Sequence, residues 1–204
     1  MLRSFKILPI LLSIAAFACF SALVPAKEAK RQNSETITDS LVHFAKNYVN
    51  YMDNLGAKGA WFKKVYVKQT GHERYKLWPH TDHWPDSLEE TVNVIYYKNE
   101  PVVYAEIPLG SAGDTYQETD CYFYKGKLIA CKQIFTDFKS NCTTHQGLLN
   151  ERTMIWFDST GTQLRKDFKA LDVDNKPVNT ANCSTGPEPR LYRTFKETPL
   201  GKER

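Results

Sequence analysis

The stretch that decides the fold is Cys121–Ile134, "CYFYKGKLIACKQI". An aromatic pair, Phe123-Tyr124, runs into a Lys125-Gly126 turn and returns as an apolar run, the wording of a β-hairpin. The same grammar occurs on either side of it. "VNVIYYKNEPVVYAEI" (Val92–Ile107) bends at Asn99-Glu100-Pro101, and "MIWFDSTGTQLRKDF" (Met154–Phe168) bends at Ser159-Thr160-Gly161. The aromatic pairs Tyr96-Tyr97, Phe123-Tyr124 and Trp156-Phe157 return about every 30 residues, a shared turn grammar rather than a named repeat. Three successive hairpins predict an antiparallel meander. "FKKVYVK" (Phe62–Lys68) supplies an earlier strand and "LYRTF" (Leu191–Phe195) a short final one.

Upstream, "SETITDSLVHFAKNYVNYMDNLG" (Ser34–Gly56) places Ile37, Leu41, Phe44, Tyr48, Met52 and Leu55 at steps of four, three, four, four and three. That period of 3.6 predicts an amphipathic helix with those residues as its buried stripe. Thr36 with Asp39 reads as its start and Gly56 as the residue just past its end. The predicted fold is therefore α+β: an N-terminal amphipathic helix packed on a curved antiparallel β-meander of about six or seven strands. This element order resembles the cystatin-like arrangement, a likeness of architecture that implies no activity.

The first residues read as an export signal. Arg3 and Lys6 precede an uncharged apolar run, Ile7–Val24, and small residues at Val24 and Ala26 suit cleavage before Lys27. Lipidation at Cys19 is the minor alternative, and an uncleaved anchor a second one. The expected organisation is a signal peptide over 1–26, a flexible segment over 27–35, the helix-plus-sheet domain over 36–171 and an irregular tail over 172–204 tied back by a disulfide. Cleavage removes the charges of Arg3 and Lys6, so the formal charge falls from +4 to +2. That balance does not point to nucleic acid as a partner, and no stable membrane span is expected after cleavage.

Cleavage leaves four cysteines, and an oxidising compartment pairs them. The expected bridges are Cys121 with Cys131 and Cys142 with Cys183. A two-residue turn at Lys125-Gly126 sets Cys121 opposite Ala130, so the first bridge needs a longer loop or a bulge to bring Cys131 into register.

The densest chemical vocabulary is "GHERYKLWPHTDHWPDSLEE" (Gly71–Glu90). Trp78-Pro79 and Trp84-Pro85 offer two indoles on a stiff loop, suited to a protein or saccharide partner. His80 and His83, with Asp82 between them, offer metal ligands that His72, Asp86 or Glu89 would complete as a zinc site. Glu89-Glu90 and Asp114 are acid–base candidates whose separation the sequence leaves open. Ser111 lacks a nucleophile elbow. Asn141-Cys142-Thr143 and Asn182-Cys183-Ser184 match glycosylation acceptors but carry no functional reading.

The functional expectation is an exported noncatalytic binding or inhibitory module of the cell envelope or extracellular space, binding through Trp78, His80, His83 and Trp84 without a cofactor. The alternatives are a metal-dependent hydrolase using a zinc site at His80 and His83, and a structural envelope protein.

Overall fold

The register of the three hairpins builds the sheet. In a computed structural model, which describes residues 26–59, 61–79, 83–109, 115–138, 142–143, 147–181, 183 and 185–202, with side chains from residue 35 on, the meander is an eight-stranded antiparallel sheet in the order β2-β1-β3-β4-β5-β6-β7-β8. The strands are β1 Phe62–Gln69, β2 Lys76–Leu77, β3 Leu88–Tyr97, β4 Glu100–Pro108, β5 Thr115–Tyr124, β6 Lys127–Asp137, β7 Leu149–Phe157 and β8 Gln163–Leu171. Eight strands replace the expected six or seven. The addition is β2, which pairs with β1 through only two residues and so has no alternation to read. "LYRTF" makes a single bridge, Lys127 to Thr194, and then turns into a 3-10 helix at Phe195–Glu197 followed by a short helix, Pro199–Lys202.

Lys125 and Gly126 both take positive φ (51° and 75°), as do Lys98 and Asn99 (51° and 67°), so each pair forms the two-residue turn whose twist matches its strands. The first turn is thus Lys98-Asn99, and Glu100-Pro101 already belong to β4. In all three hairpins the returning strand then bulges by one residue. Val102, Ile129 and Leu164 are the extra residues, each beside an aromatic pair. The bulge at Ile129 brings Cys121 opposite Cys131, their Sγ atoms 3.9 Å apart as two buried thiols. A bulge turns two consecutive residues to one face and bends the strand, so the repeated wording encodes a repeated bend.

That face is covered by the part of helix α1 (Ala26–Ala57) that follows Ser40. The chain divides into two compact units at Ser40, and the described part of the first is the N-terminal portion of α1. In the second unit Val42, Ala45, Val49 and Met52 are buried with Val102, Val103, Ile129, Ala130 and Trp156. The buried stripe is rotated from the expected row. Leu41 and Phe44 are exposed, while Phe44 and Tyr48 meet Tyr124 edge-on at 5.2 and 5.3 Å. The bulges crowd the sheet surface with side chains, so the helix presents its smaller residues there and its aromatics move to the rim.

Both ends of the helix differ from expectation. Thr36 lies inside it, and Gly56 lies within its last turn. A β-carbon on Gly56 would collide with the Trp61 indole, so this glycine serves close packing, while Gly59 takes the left-handed conformation (φ 65°). The opposite sheet face is covered by the chain end. Tyr192, Phe195 and Leu200 pack on Val92, Val94, Tyr104, Phe123 and Leu128. Cys142 and Cys183 are joined by a disulfide, tying the tail to the connection after β6.

A carboxylate-floored cavity beneath the tail as candidate functional site

Alternation along β4 turns Tyr104 and Glu106 to the tail side. There Glu106, Thr119, Gln133 and Thr153 stand opposite one another, or nearly so, on β4 to β7, all buried. A polar row inside a sheet is costly unless it is answered. The tail answers part of it. The Arg190 guanidinium donates to Glu106 Oε1 at 3.0 Å, and the Gly186 amide donates to Glu151 Oε2 at 2.8 Å, at a point where Gly186 lies against the Phe135 ring. Leu128 N–H donates to the Arg193 carbonyl at 2.9 Å, fixing the segment that follows.

Between this lid and the sheet lies a cavity of about 610 Å³. Its floor is Glu90, Glu106 and Thr119, and its walls include Tyr75, Pro108, Leu109, Pro187 and Pro199. The Tyr75 hydroxyl donates to Glu90 Oε2 at 2.6 Å, and at the mouth Lys68 pairs with Glu89 at 2.6 Å. Among the described lining residues there is no histidine, cysteine or serine.

Burial, and then the neighbouring Glu90, push the Glu106 carboxyl up to about 8, with Arg190 pulling the other way. Burial likewise raises the Tyr75 and Tyr104 phenols well above their ordinary value. A carboxyl that keeps its proton longer when folded than its ordinary 4.5 stabilises most fully below about pH 4.5, and that stability is lost as pH rises through 8. On the helix side Asp120, raised to about 6 by burial against the pull of Lys132, makes the same kind of contribution at lower pH. Between pH 6.5 and 8 the urea midpoint should therefore fall because of Glu106. The slope should be well under the roughly 1.4 kcal/mol per pH unit of an isolated buried acid, since Arg190 and cavity solvent screen it. Glu106→Gln is expected to flatten that slope; an unchanged slope in the variant would remove Glu106 as its cause.

The two indoles of the Trp-Pro loop differ in exposure. Trp78 is half-buried, and its indole N–H donates to the His83 carbonyl at 2.8 Å. Trp84 is 48% exposed and lines a separate hollow of about 410 Å³ with Lys63, Val65, Thr91, Asn93 and Ile107, on the side of the sheet that bears α1. His72, His83 and Asp86 are exposed. Asp82 and His80 lie outside the described residues, as do Ser111, Asp114, Asn141 and Asn182. Among the described residues no group of three histidine, cysteine, aspartate or glutamate side chains is placed to hold a metal ion. No helix among them is long and apolar enough to cross a membrane.

Of the acid–base candidates, Glu90 reaches the cavity floor and Glu89 its mouth. Glu106, Arg190, Tyr75 and Tyr104 were not singled out from the sequence. A signal existed: in "VVYAEIP" Glu106 falls two residues after Tyr104, in phase with the buried face. No protein-family model matches this chain, and no curated protein or solved structure matches it significantly.

Proposed function

We propose that the protein is an exported noncatalytic binding module that takes a small ligand between its sheet and its C-terminal tail. The observation that carries this reading is the cavity itself, about 610 Å³ with buried carboxylates at its floor. Small-molecule sites run to about 300–1,000 Å³, with apolar walls and a few convergent polar groups. Tyr75, Leu109 and the three prolines supply the walls, and Glu90, Glu106 and Thr119 the polar floor. A binding rather than hydrolytic role is favoured because both floor carboxyl groups are held by neighbouring side chains, Glu90 by Tyr75 and Glu106 by Arg190. Export is favoured by the Cys142–Cys183 disulfide, which is compatible with an oxidising compartment. The same compartment would close Cys121 and Cys131 into the second bridge.

A second reading places a protein or saccharide partner against Trp84, because this large indole stays exposed over a hollow in the sheet face.

Thermal shift with a chemically diverse fragment set tests the first reading. Wild-type protein should be stabilised by some fragments, by up to about 2.7 kcal/mol at a hundredfold excess over Kd. Gln117→Trp, which places an indole at the half-buried lining position on β5, should not respond. Equal stabilisation of both proteins would show that the ligand sits elsewhere.

A further inference from the structure

Charge on the cavity lining does not balance. Glu89 is matched by Lys68, and Glu188 by Lys166 at 2.7 Å. On the floor, Arg190 pairs with Glu106, while the cation nearest Glu90 besides Arg190 is Lys68, already paired with Glu89. The Glu90 carboxylate accepts from the Tyr75 hydroxyl and meets the Glu106 carboxyl side chain to side chain. A third feature lies behind the pair. The Tyr104 side chain is fully buried, its hydroxyl has no hydrogen-bond partner among the described residues, and it lies near Glu106, Tyr192, Tyr75 and Glu90.

Two buried carboxylates beside one guanidinium carry one negative charge too many for a low-dielectric site. A proton answers it, and so does a second cation. Resting on the cavity reading above, we infer that the ligand carries an alkylammonium group, received between Glu90 and Glu106. The ammonium brings three donors to a floor of acceptors, and its alkyl chain lies along Tyr75, Leu109 and Pro187. The ammonium takes the place of the proton that the pair otherwise holds, and that proton leaves to solvent. A bare metal ion is a poorer match, since among the described residues no group of three histidine, cysteine, aspartate or glutamate side chains is placed to hold one.

The groups that set this exchange come from every element around Glu106. They are Glu90 on β3, Tyr104 on β4, Tyr75 before β2, and Arg190 and Tyr192 on the tail. Because a proton is released, affinity should rise with pH until the pair is ionised without the ligand, near pH 8.

Titration calorimetry of the full exported chain with 1,4-diaminobutane and with Nα-acetyl-lysine methylamide, at pH 6.5 and 8.5 in buffers of different ionisation enthalpy, tests this. Binding should be roughly tenfold or more tighter at pH 8.5, with close to one proton released at pH 6.5. Glu90→Gln should weaken it about tenfold or more. Glu106→Gln should abolish the pH dependence. Binding of the diamine alone assigns a free amine, and binding of the lysine derivative alone assigns a side chain of a protein partner; binding of both assigns the ammonium without regard to its carrier. Equal binding of 1,4-butanediol, succinate or calcium, or an affinity indifferent to pH, would overturn the inference. Amines that fail while fragments still stabilise wild type and not Gln117→Trp would overturn it and leave the cavity reading standing; failure of both experiments would overturn both.

Discussion

Phe195→Ala is expected to destabilise the protein by about 3–5 kcal/mol, as truncation of a buried aromatic side chain does. Phe195 sits where the tail turns back on the sheet, edge-on to Tyr104 at 6.4 Å and to Phe123 at 5.9 Å, in one cluster with Tyr192 and Leu200. Removing the ring leaves a void that the strands cannot close, because their positions are fixed by the sheet on either side. The tail also bears Arg190, so loosening it should open the carboxylate floor as well as the core. Since a domain's net stability is about 5–15 kcal/mol, this one change should consume a large share of it. Leu191→Ala, four residues earlier at a 42%-exposed position, should cost no more than about 0.5 kcal/mol. Chemical denaturation of the pair measures the contrast; similar costs would mean that the tail does not seal the sheet.

Breaking the Cys142–Cys183 bridge should have an effect of similar size through the unfolded chain. The bridge spans 41 residues of sequence, for which loop-closure reasoning gives about 4 kcal/mol as an upper figure. Cys142→Ser with Cys183→Ser should lower stability toward that value while leaving the sheet intact, because both cysteines lie outside the named strands. The second expected bridge differs. Cys121 and Cys131 stand across β5 and β6 within the buried core, and an already ordered hairpin has a short loop to close. The intact mass of the exported protein should be four hydrogens below its reduced mass; a deficit of two would confine the bond to Cys142 and Cys183.

The meander was legible because its signals are local. Turn residues with positive φ and alternating β-branched and aromatic runs act over a few residues, and they located six strands and β1. The bulges at Val102, Ile129 and Leu164 were not legible individually, since an extra residue changes no composition, yet the cysteine spacing demanded one of them in the central hairpin. The helix was legible as a helix but not in its rotation. Which stripe is buried depends on the shape of the surface beneath it, and the bulges set that shape.

The site was the least legible part, because it is assembled from residues far apart in sequence. Glu90 and Glu106 meet across β3 and β4, Tyr75 joins them from an irregular connection, and Arg190 arrives from a tail that reads as turn-rich. The Trp-Pro loop drew attention through its composition. Its folded form gives the two indoles different roles, Trp78 bound to its own loop and Trp84 over a hollow on the helix side of the sheet.

The most direct test is a map of backbone amide shifts as a stabilising fragment is titrated into the isotopically labelled protein. A ligand held beneath the tail should shift the amides of Tyr75, Glu90, Glu106, Thr119 and Arg190 together, in one saturable process. Shifts gathered instead around Lys63, Trp84, Asn93 and Lys132, with the tail unmoved, would place the binding surface on the helix side and contradict the account.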